Sequence, residues 1–313
     1  MNARAPSALL AWGARRLRVA GVYFGHGTQN ALEEASWLLA GATKRAPGTR
    51  MRGRLSAEAA ARYQQLIEER IASRRPAAYL LNEAWFAGRR FYVDPRVLVP
   101  RSLIGEFILE RFAPWVRHPG KVHAALDIGT GSGCIALALA HTFPHARVDA
   151  SDISTEALEV AARNVRAQRL GARVRLVHSD LFKNLGKRRY DLIVSNPPYV
   201  TDHELRALPE EYRHEPRQAL VAPGRGLAVL LALLADAPDH LTREGIVVIE
   251  TGNRAASLAR RLPSVPFVWL ADASQDESVA LIEAAALRHG HAEIVRALAV
   301  LSKAKRLPRP PPG

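Results

Sequence analysis

The 313-residue chain has a single cysteine, Cys134, and its eleven histidines form no cluster with the spacing of a metal site. One thiol excludes a disulfide framework and fits a reducing compartment, so we expect a cytoplasmic protein. The nearest approach to a histidine cluster is Arg-His-Gly-His at residues 288–291, which we interpret as a solvated loop. Because no histidine pair stands beside cysteines or carboxylates at ligand spacing, no metal is expected.

Long apolar segments are also missing. The longest run, residues 227–235, is far shorter than the roughly 20 residues that span a bilayer. The first residues include arginines but no sustained apolar stretch with a cleavage site, so no secretory signal is expected. Neither contact with a membrane nor export is therefore predicted.

Acidic residues are in the minority, with 30 against 44 basic residues and a formal net charge of +14. The excess positive charge lies on the two flanks: the formal net charge is +10 for residues 1–120, −1 for residues 121–283 and +5 for residues 284–313. Such flanks suit a phosphate-rich partner. A solvated basic face is the other interpretation, in a chain where 38 of the basic residues are arginine.

The most informative segment is the tetrad Asn196-Pro197-Pro198-Tyr199. It follows residues 190–195, an apolar run typical of a buried parallel strand, and open α/β sheets bind ligands at the carboxyl ends of such strands. The prolines restrict the backbone, the Asn196 side chain and the Pro197 carbonyl can accept hydrogen bonds, and Tyr199 offers a flat face. This combination favours a rigid slot for a planar NH2 group, with a proline-rich turn as the alternative.

A second strand-like run, residues 122–126, leads into Asp127-Ile128-Gly129-Thr130-Gly131-Ser132-Gly133. Alternate glycines let the backbone turn tightly and approach a ligand, but the spacing is not the dinucleotide fingerprint. Asp127 suits a ligand with a cationic amine. Asp152 and Asp180 follow the next two strand-like runs, and Asp152 is placed to bind ribose hydroxyls. Together the acids predict a pocket for a nucleoside joined to an amino acid, although each alone could cap a helix.

With these motifs the sequence resembles the class I S-adenosylmethionine-dependent methyltransferases of the protein-(glutamine-N(5)) methyltransferase family. It is most similar to the branch that modifies the third large-subunit ribosomal protein. This resemblance implies ribosomal RNA or an assembling ribosomal subunit as the phosphate-rich partner of the basic flanks. The likeness runs from about residue 10 to residue 283 and includes residues 23–28, 84–86, 99–102 and 211–216. Residues 101–106 lack the Pro-Asp-Thr core of the release-factor branch, which argues against a release factor as substrate.

The resemblance implies an α/β fold, with a Rossmann-like sheet that has a final antiparallel strand. A small, mostly helical N-terminal domain with a β-hairpin precedes it. S-adenosylmethionine is expected to bind Asp127, Gly129, Thr130, Gly131, Gly133, Asp152, Asp180, Leu181 and Asn196. Catalysis is expected from Asn196, Pro197 and Tyr199. Substrate binding is expected from the tetrad, including Pro198, and from Arg101 and Glu215 at the lips of the pocket.

Four segments organise the chain. Residues 1–82 are expected to form a basic substrate-docking domain, 83–120 a hairpin and linker, and 121–283 the catalytic domain. A C-terminal helix and a disordered basic tail are expected within 284–313. Periodicity predicts helices over 8–18, 29–42, 57–74, 104–112, 155–169, 227–240, 253–261 and 284–302, and late strands over 245–250, 267–270 and 279–282. Thr28 is predicted as the N-cap of the second helix.

Three functions are compatible with these motifs. Methylation of a glutamine amide needs no strong base, because the methyl group already sits on a sulfonium and the proton can leave later. Alignment and two hydrogen-bond acceptors would suffice. Amino-methylation of adenine in nucleic acid would use a similar slot, but the chain has no long insertion for target recognition between the tetrad and Gly245. A non-enzymatic ribosome-assembly factor would have no use for the acids and Asn196.

Overall fold

The computed structural model describes residues 5–51, 53–271 and 277–304, with side chains as far as residue 301. The chain separates into two compact units. The helical unit comprises the described residues of Met1–Trp85, Arg90–Arg101 and Leu208–Pro216. The sheet unit comprises Phe86–Arg89, Ser102–Ala207 and the described residues from Arg217 onward. The predicted disordered tail lies outside the described residues from position 305 onward.

Four helices form the helical unit: α1 (Pro6–Val19), α2 (Ala31–Ala42), α3 (Ala57–Ser73) and the short α4 (Ala77–Leu81). Their apolar faces meet in a core that includes Leu17, Leu38, Tyr63, Ile67 and Tyr79. α4 was not predicted, because five residues are too few to show a helical period.

The N-terminus of α2 corrects one prediction. Asn30, rather than Thr28, caps this helix, because its side-chain oxygen accepts hydrogen bonds from the N–H groups of Leu32 and Glu33 at 3.0 Å each. The Thr28 hydroxyl instead donates to the buried carboxylate of Glu34, at 3.0 Å. Both residue types are good caps, so the sequence alone could not separate them.

The predicted hairpin is confirmed. Strands β1 (Ala84–Phe86) and β2 (Arg89–Phe91) pair across a two-residue turn. Ala87 and Gly88 in this turn both have positive φ angles, of 47° and 71°. Two successive residues of positive φ are the requirement of the tight turn whose twist matches a hairpin.

The sheet unit is built on seven strands: β3 (Ala124–Ile128), β4 (Arg147–Asp152), β5 (Val174–His178), β6 (Tyr190–Ser195), β7 (Leu241–Glu250), β8 (Val268–Leu270) and β9 (Val279–Glu283). Their order is β5-β4-β3-β6-β7-β9-β8. Neighbouring strands from β5 to β7 pair in parallel, whereas β9 runs antiparallel to both β7 and β8. The predicted final antiparallel strand is confirmed. β7 begins at Leu241, four residues before the predicted start at Gly245, and its register with β6 shifts between Tyr190 and Leu192.

Within the described residues, the sheet unit also contains the helices α5 (Ile104–Leu109), α6 (Cys134–Thr142), α7 (Thr155–Ala167), α8 (Asp202–Ala207), α9 (Arg217–Leu220), α10 (Ala228–His240), α11 (Ala255–Arg261) and α12 (Ala284–Ala304). Three short 3-10 turns, Pro119–Lys121, Glu210–His214 and Gly252–Arg254, connect these elements. α8 and α9 were not predicted, because each is too short for a clear pattern. The core is formed by strand residues such as Leu126, Ile193 and Val247 together with helix residues such as Leu230 and Leu287.

The prediction of a solvated loop at residues 288–291 is wrong, because these residues lie within α12. Gly290 lets this helix pack closely, since a Cβ there would overlap the Val265 side chain. The ring Nε2 of His291 lies 3.0 Å from the carbonyl oxygen of Ala235 on α10. Among the residues that the structure describes, no three His, Cys, Asp or Glu side chains form a metal-binding group. In the same residues no helix is both long and apolar enough to cross a membrane.

Candidate active site

The carboxyl ends of four neighbouring strands in the sheet unit carry the candidate site. Ile128 on β3 lies opposite Ser151 on β4 and opposite Ser195 on β6, and Ser195 lies opposite Ile249 on β7. The next position on each strand therefore aligns Asp152, Gly129, Asn196 and Glu250 along one edge. In the sheet, β3 is flanked by β4 on one side and by β6 on the other. The strand order therefore changes direction at β3, and this edge is the topological switch point, where open α/β sheets bind ligands.

The glycine loop between β3 and α6 presents open backbone at this edge. Gly129, Gly131 and Gly133 have φ angles of 73°, 53° and 82°, which side chains rarely tolerate. A Cβ added at Gly129 or Gly131 would find no described atom within 4 Å, so space lies next to the loop. The loop is held in place because the N–H groups of Gly129 and Thr130 donate to the Ser151 carbonyl, at 2.8 and 2.9 Å. A rigid, uncovered backbone of this kind is suited to close contact with a ligand.

Asp127 is buried under the loop with one oxygen unused. Its Oδ2 accepts hydrogen bonds from the Thr130 hydroxyl at 2.6 Å and from the Ala136 N–H at 3.0 Å. Its Oδ1 has no hydrogen-bond partner among the described residues. Burial raises the pKa of Asp127 to about 7, against the opposing effect of these two hydrogen bonds. A buried acceptor without a partner is costly, and a cationic amine would satisfy it.

Asp152 follows β4 and is tied to the same loop. Its Oδ2 accepts from the Gly131 N–H and its Oδ1 from the Ser154 N–H, each at 2.9 Å. Burial raises the pKa of this carboxyl, while these backbone hydrogen bonds act in the opposite direction. Each carboxylate oxygen has a second lone pair, so the group can still accept hydrogen bonds from a diol.

The neighbouring residues differ in exposure. Ile153, directly after Asp152, is 49% exposed although apolar, and sequence reasoning missed it. An apolar residue next to the predicted ribose-binding acid was the available signal. Asp180 is exposed and forms an ion pair with Lys183 at 2.5 Å, so it is not buried as Asp127 is. Leu181 has a positive φ of 48°, which turns the chain after β5.

The start of the tetrad is fixed by the end of β6. The Ser195 hydroxyl donates to the Ile128 carbonyl at 2.7 Å, which ties the end of β6 to the end of β3. Asn196 is half-buried, and within the described part of the chain its side chain makes no hydrogen bond. Pro197 is buried, and Pro198 and Tyr199 are half-buried. The Asn196 amide is thus held by its backbone and available to a ligand.

Arg101 and Glu215 belong to the helical unit, where they form a bidentate ion pair. The two guanidinium nitrogens of Arg101 lie 2.6 and 2.7 Å from the Glu215 oxygens, and Glu215 also accepts from the Val99 N–H at 3.0 Å. Burial opposes ionisation, but Arg101 and His26 lower the pKa of Glu215 to about 2. Glu215 is only 5% exposed, so its carboxylate is engaged inside the unit.

A second buried ion network lies in the helical unit and was missed by sequence reasoning. Arg70 is fully buried; its Nε donates to Glu34 at 2.8 Å and its Nη1 to Glu211 at 3.3 Å. The Glu211 carboxylate also accepts from the Tyr23 N–H at 3.0 Å. Glu211 and Glu215 thereby attach the segment Leu208–Pro216 to this unit. No local pattern links residues so distant in the chain.

The sheet order with its antiparallel β9, and the glycine loop after β3, are those of a class I methyltransferase fold. The model of the Methyltransferase small domain matches residues 107–241, and that of the PrmC N-terminal domain matches residues 8–81. The class implies a methyl donor of the S-adenosylmethionine type. A solved methyltransferase from Pyrococcus furiosus has a similar structure, with a TM-score of 0.44 and 21% identity over 70% of this chain and 96% of that one.

Relatives identify the family. The ribosomal protein uL3 glutamine methyltransferase of Bordetella pertussis is 43% identical over 277 residues, which cover 88% of this chain and 93% of that protein. The protein of the same name from Xylella fastidiosa is 46% identical over 84% of each chain. The chain belongs to the family of ribosomal protein uL3 glutamine methyltransferases, and it is a methyltransferase. The family assignment made from the sequence motifs is confirmed.

Proposed function

We propose that this enzyme transfers a methyl group from S-adenosylmethionine to the side-chain amide nitrogen of a glutamine in ribosomal protein uL3, giving N(5)-methylglutamine. The observation that carries this proposal is the half-buried Asn196 amide, which stands beside the open glycine loop and makes no hydrogen bond to the described residues. The relatives named above support uL3 as the substrate.

The residues around the glycine loop fit the methyl donor. The unpaired Oδ1 of Asp127 would accept from the amine of its amino-acid portion, and Asp152 would accept from the ribose hydroxyls. The backbone at Gly129, Thr130, Gly131 and Gly133 would lie along the ligand, with Ile153, Asp180 and Leu181 beside its base. When bound, S-adenosylmethionine supplies an electrophilic methyl group carried on a sulfonium.

The tetrad would hold the substrate amide. An amide nitrogen is a weak nucleophile because its lone pair is delocalised into the carbonyl. The Asn196 side-chain oxygen and the Pro197 carbonyl would accept the two N–H groups, and these hydrogen bonds strengthen as positive charge develops on nitrogen. Pro198 and Tyr199 would restrain the amide plane. The proton can leave to water afterwards, so no strong base is needed.

Arg101 would provide a contact to the substrate protein from the helical unit. Its side chain is 21% exposed, whereas the Glu215 side chain is inaccessible. The buried carboxylate therefore supports a role for Glu215 in holding Arg101, with the guanidinium making the contact. Arg101 also lies over the Tyr212 ring, 5.4 Å from its centroid, which further limits its orientations.

The basic flanks would attract ribosomal RNA or an assembling subunit. Within α1, Arg15 and Arg18 are exposed, and residues 1–120 carry a net charge of +10. Attraction of this kind weakens steeply with salt, because binding releases counterions from the phosphates. Affinity for an RNA-containing precursor should therefore fall with ionic strength more steeply than affinity for free uL3.

Methyl transfer to purified substrates tests the proposal. The enzyme is incubated with methyl-labelled S-adenosylmethionine and with uL3, a peptide-chain release factor or adenine-containing nucleic acid, and peptide mapping follows. We expect the mass of one methylene group on a single glutamine peptide of uL3, and acid hydrolysis of that peptide should release methylamine. A uL3 variant with that glutamine replaced by asparagine is the matched control. Label in the release factor or the nucleic acid, or none in uL3, would overturn the proposal.

A further inference from the structure

Glu250 ends β7 beside the tetrad. It is 6% exposed, and its Oε2 accepts hydrogen bonds from the Ser102 hydroxyl at 2.5 Å and from the Leu103 N–H at 3.1 Å. Its Oε1 lies 3.4 Å from the Tyr199 hydroxyl. One buried carboxylate thus contacts both the segment that begins α5 and the aromatic residue of the tetrad. Burying a carboxylate is costly, so such a group must be held by hydrogen bonds.

Gly252, two residues further on, lies directly against the Tyr199 ring. Its φ is 51°, and a Cβ there would overlap the ring. The ring therefore packs on bare backbone, and any side chain at position 252 would displace it. A glycine needed both for its φ and for the space it leaves is a strong constraint on where the ring lies.

The Tyr199 backbone is held from the same side. The Arg254 Nε donates to the Tyr199 carbonyl at 3.0 Å, and Arg254 also pairs with Glu204 on α8. A Cβ at Gly226 would overlap that same carbonyl, so close packing extends to this side of the residue. Tyr199 is thus restrained at its hydroxyl, its ring face and its carbonyl.

We propose that Glu250 and Gly252 are positioning residues that fix the plane of Tyr199 against the substrate amide. The inference rests on the proposed function, because it assigns Tyr199 to the wall of the amide slot. Reactive geometry is sensitive to displacements of about 1 Å, which can cost about a hundredfold in rate. Residues that touch neither substrate nor methyl donor can therefore control turnover through the ring.

Gly252→Ala tests this directly, with Gly186→Ala as its matched control. Gly186 has a φ of 66°, and an added Cβ would meet no described atom within 4 Å, so this variant bears similar backbone strain without moving Tyr199. We expect kcat on uL3 to fall about 10- to 100-fold for Gly252→Ala and to stay within about twofold for Gly186→Ala. The Kd for S-adenosylmethionine should not change in either.

A double-mutant cycle of Glu250→Gln and Tyr199→Phe keeps the proposal testable if Gly252→Ala does not fold. Each single change should lower kcat, and the double variant should be no slower than the slower single variant, since both act through one ring. The proposal would be overturned by additive losses of kcat in the double variant or by a wild-type kcat in Gly252→Ala. It would also be overturned by a loss of S-adenosylmethionine affinity that accompanies a loss of stability. The wild-type enzyme in the same assay distinguishes a failure of this proposal from a failure of the proposed function, because an inactive wild type would contradict the proposed function.

Discussion

The Thr130 hydroxyl donates a hydrogen bond of 2.6 Å to one oxygen of Asp127, while the other oxygen of this buried carboxylate has no partner among the described residues. Thr130 belongs to the glycine loop and Asp127 to β3, so the hydrogen bond joins the loop to the strand before it. The loop is therefore held in its conformation before a ligand binds, and the Oδ1 of Asp127 remains as a hydrogen-bond acceptor for that ligand.

Asp127 should make cofactor binding depend on pH. Its pKa is raised to about 7 by burial, so the ionised form that pairs with an amine becomes dominant above neutrality. We expect the Kd for S-adenosylmethionine to fall between pH 6 and pH 8 more steeply in the wild type than in Asp127→Asn. The ligand's own amine titrates identically in both proteins, so the difference isolates Asp127. Calorimetry at several pH values measures it, and parallel profiles would exclude this role.

The raised pKa of Asp127 also determines how the folding stability of the protein changes with pH. A carboxyl whose pKa is higher in the folded state favours folding below its unfolded pKa, and that contribution is lost as the pH rises through about 7. Without ligand, Asp127→Asn should therefore gain stability relative to the wild type as the pH rises from 4 to 8. Urea unfolding at both pH values shows the trend, and a relative loss would contradict the assignment.

Asp152→Ala should weaken cofactor binding because the ribose hydroxyls lose a charged acceptor. A hydrogen bond to a charged group contributes about 1.5–3 kcal/mol, so we expect a roughly 10- to 100-fold increase in Kd. Asp152→Asn is the isosteric comparison, since it removes the charge and keeps one of the two oxygens that accept from the N–H groups of Gly131 and Ser154. An unchanged Kd in Asp152→Ala would place the ribose site elsewhere.

Glu215→Gln should destabilise the protein in a pH-dependent manner. The folded-state pKa of about 2 lies below the ordinary value of 4.5, so the ion pair stabilises the fold above pH 4.5, and this contribution is lost as the pH falls towards 2. We expect a loss of about 1.5–3 kcal/mol at pH 7 and a smaller one at pH 3. Glu110→Gln, at an exposed glutamate, provides the comparison. Equal losses for Glu215→Gln at both pH values would mean that packing, not charge, is responsible.

The strands and the glycine loop were predictable because their signals are local. A short apolar run followed by an acid or by glycines identifies a strand end, and β3 and β4 each end at or within one residue of such a signal. β6 ends directly before the Asn-Pro-Pro-Tyr tetrad, which is an equally local signal. Glu250 carried the same signal at the end of β7, but its contacts with Ser102 and Tyr199 depend on strand register. The ion pair of Arg101 with Glu215 joins residues 114 positions apart, and only the folded chain reveals it.

Substitution of Asn196 tests the central claim most directly. Asn196→Ala removes the side-chain acceptor and keeps both prolines, so kcat for methylation of uL3 should fall about a hundredfold or more. The Kd for S-adenosylmethionine and the midpoint of thermal unfolding should change little, because the half-buried amide makes no hydrogen bond to the described residues. Asn184→Ala, at an exposed asparagine of the same unit, should keep wild-type kcat. A wild-type kcat in Asn196→Ala would contradict the account, because the tetrad would then be a structural turn.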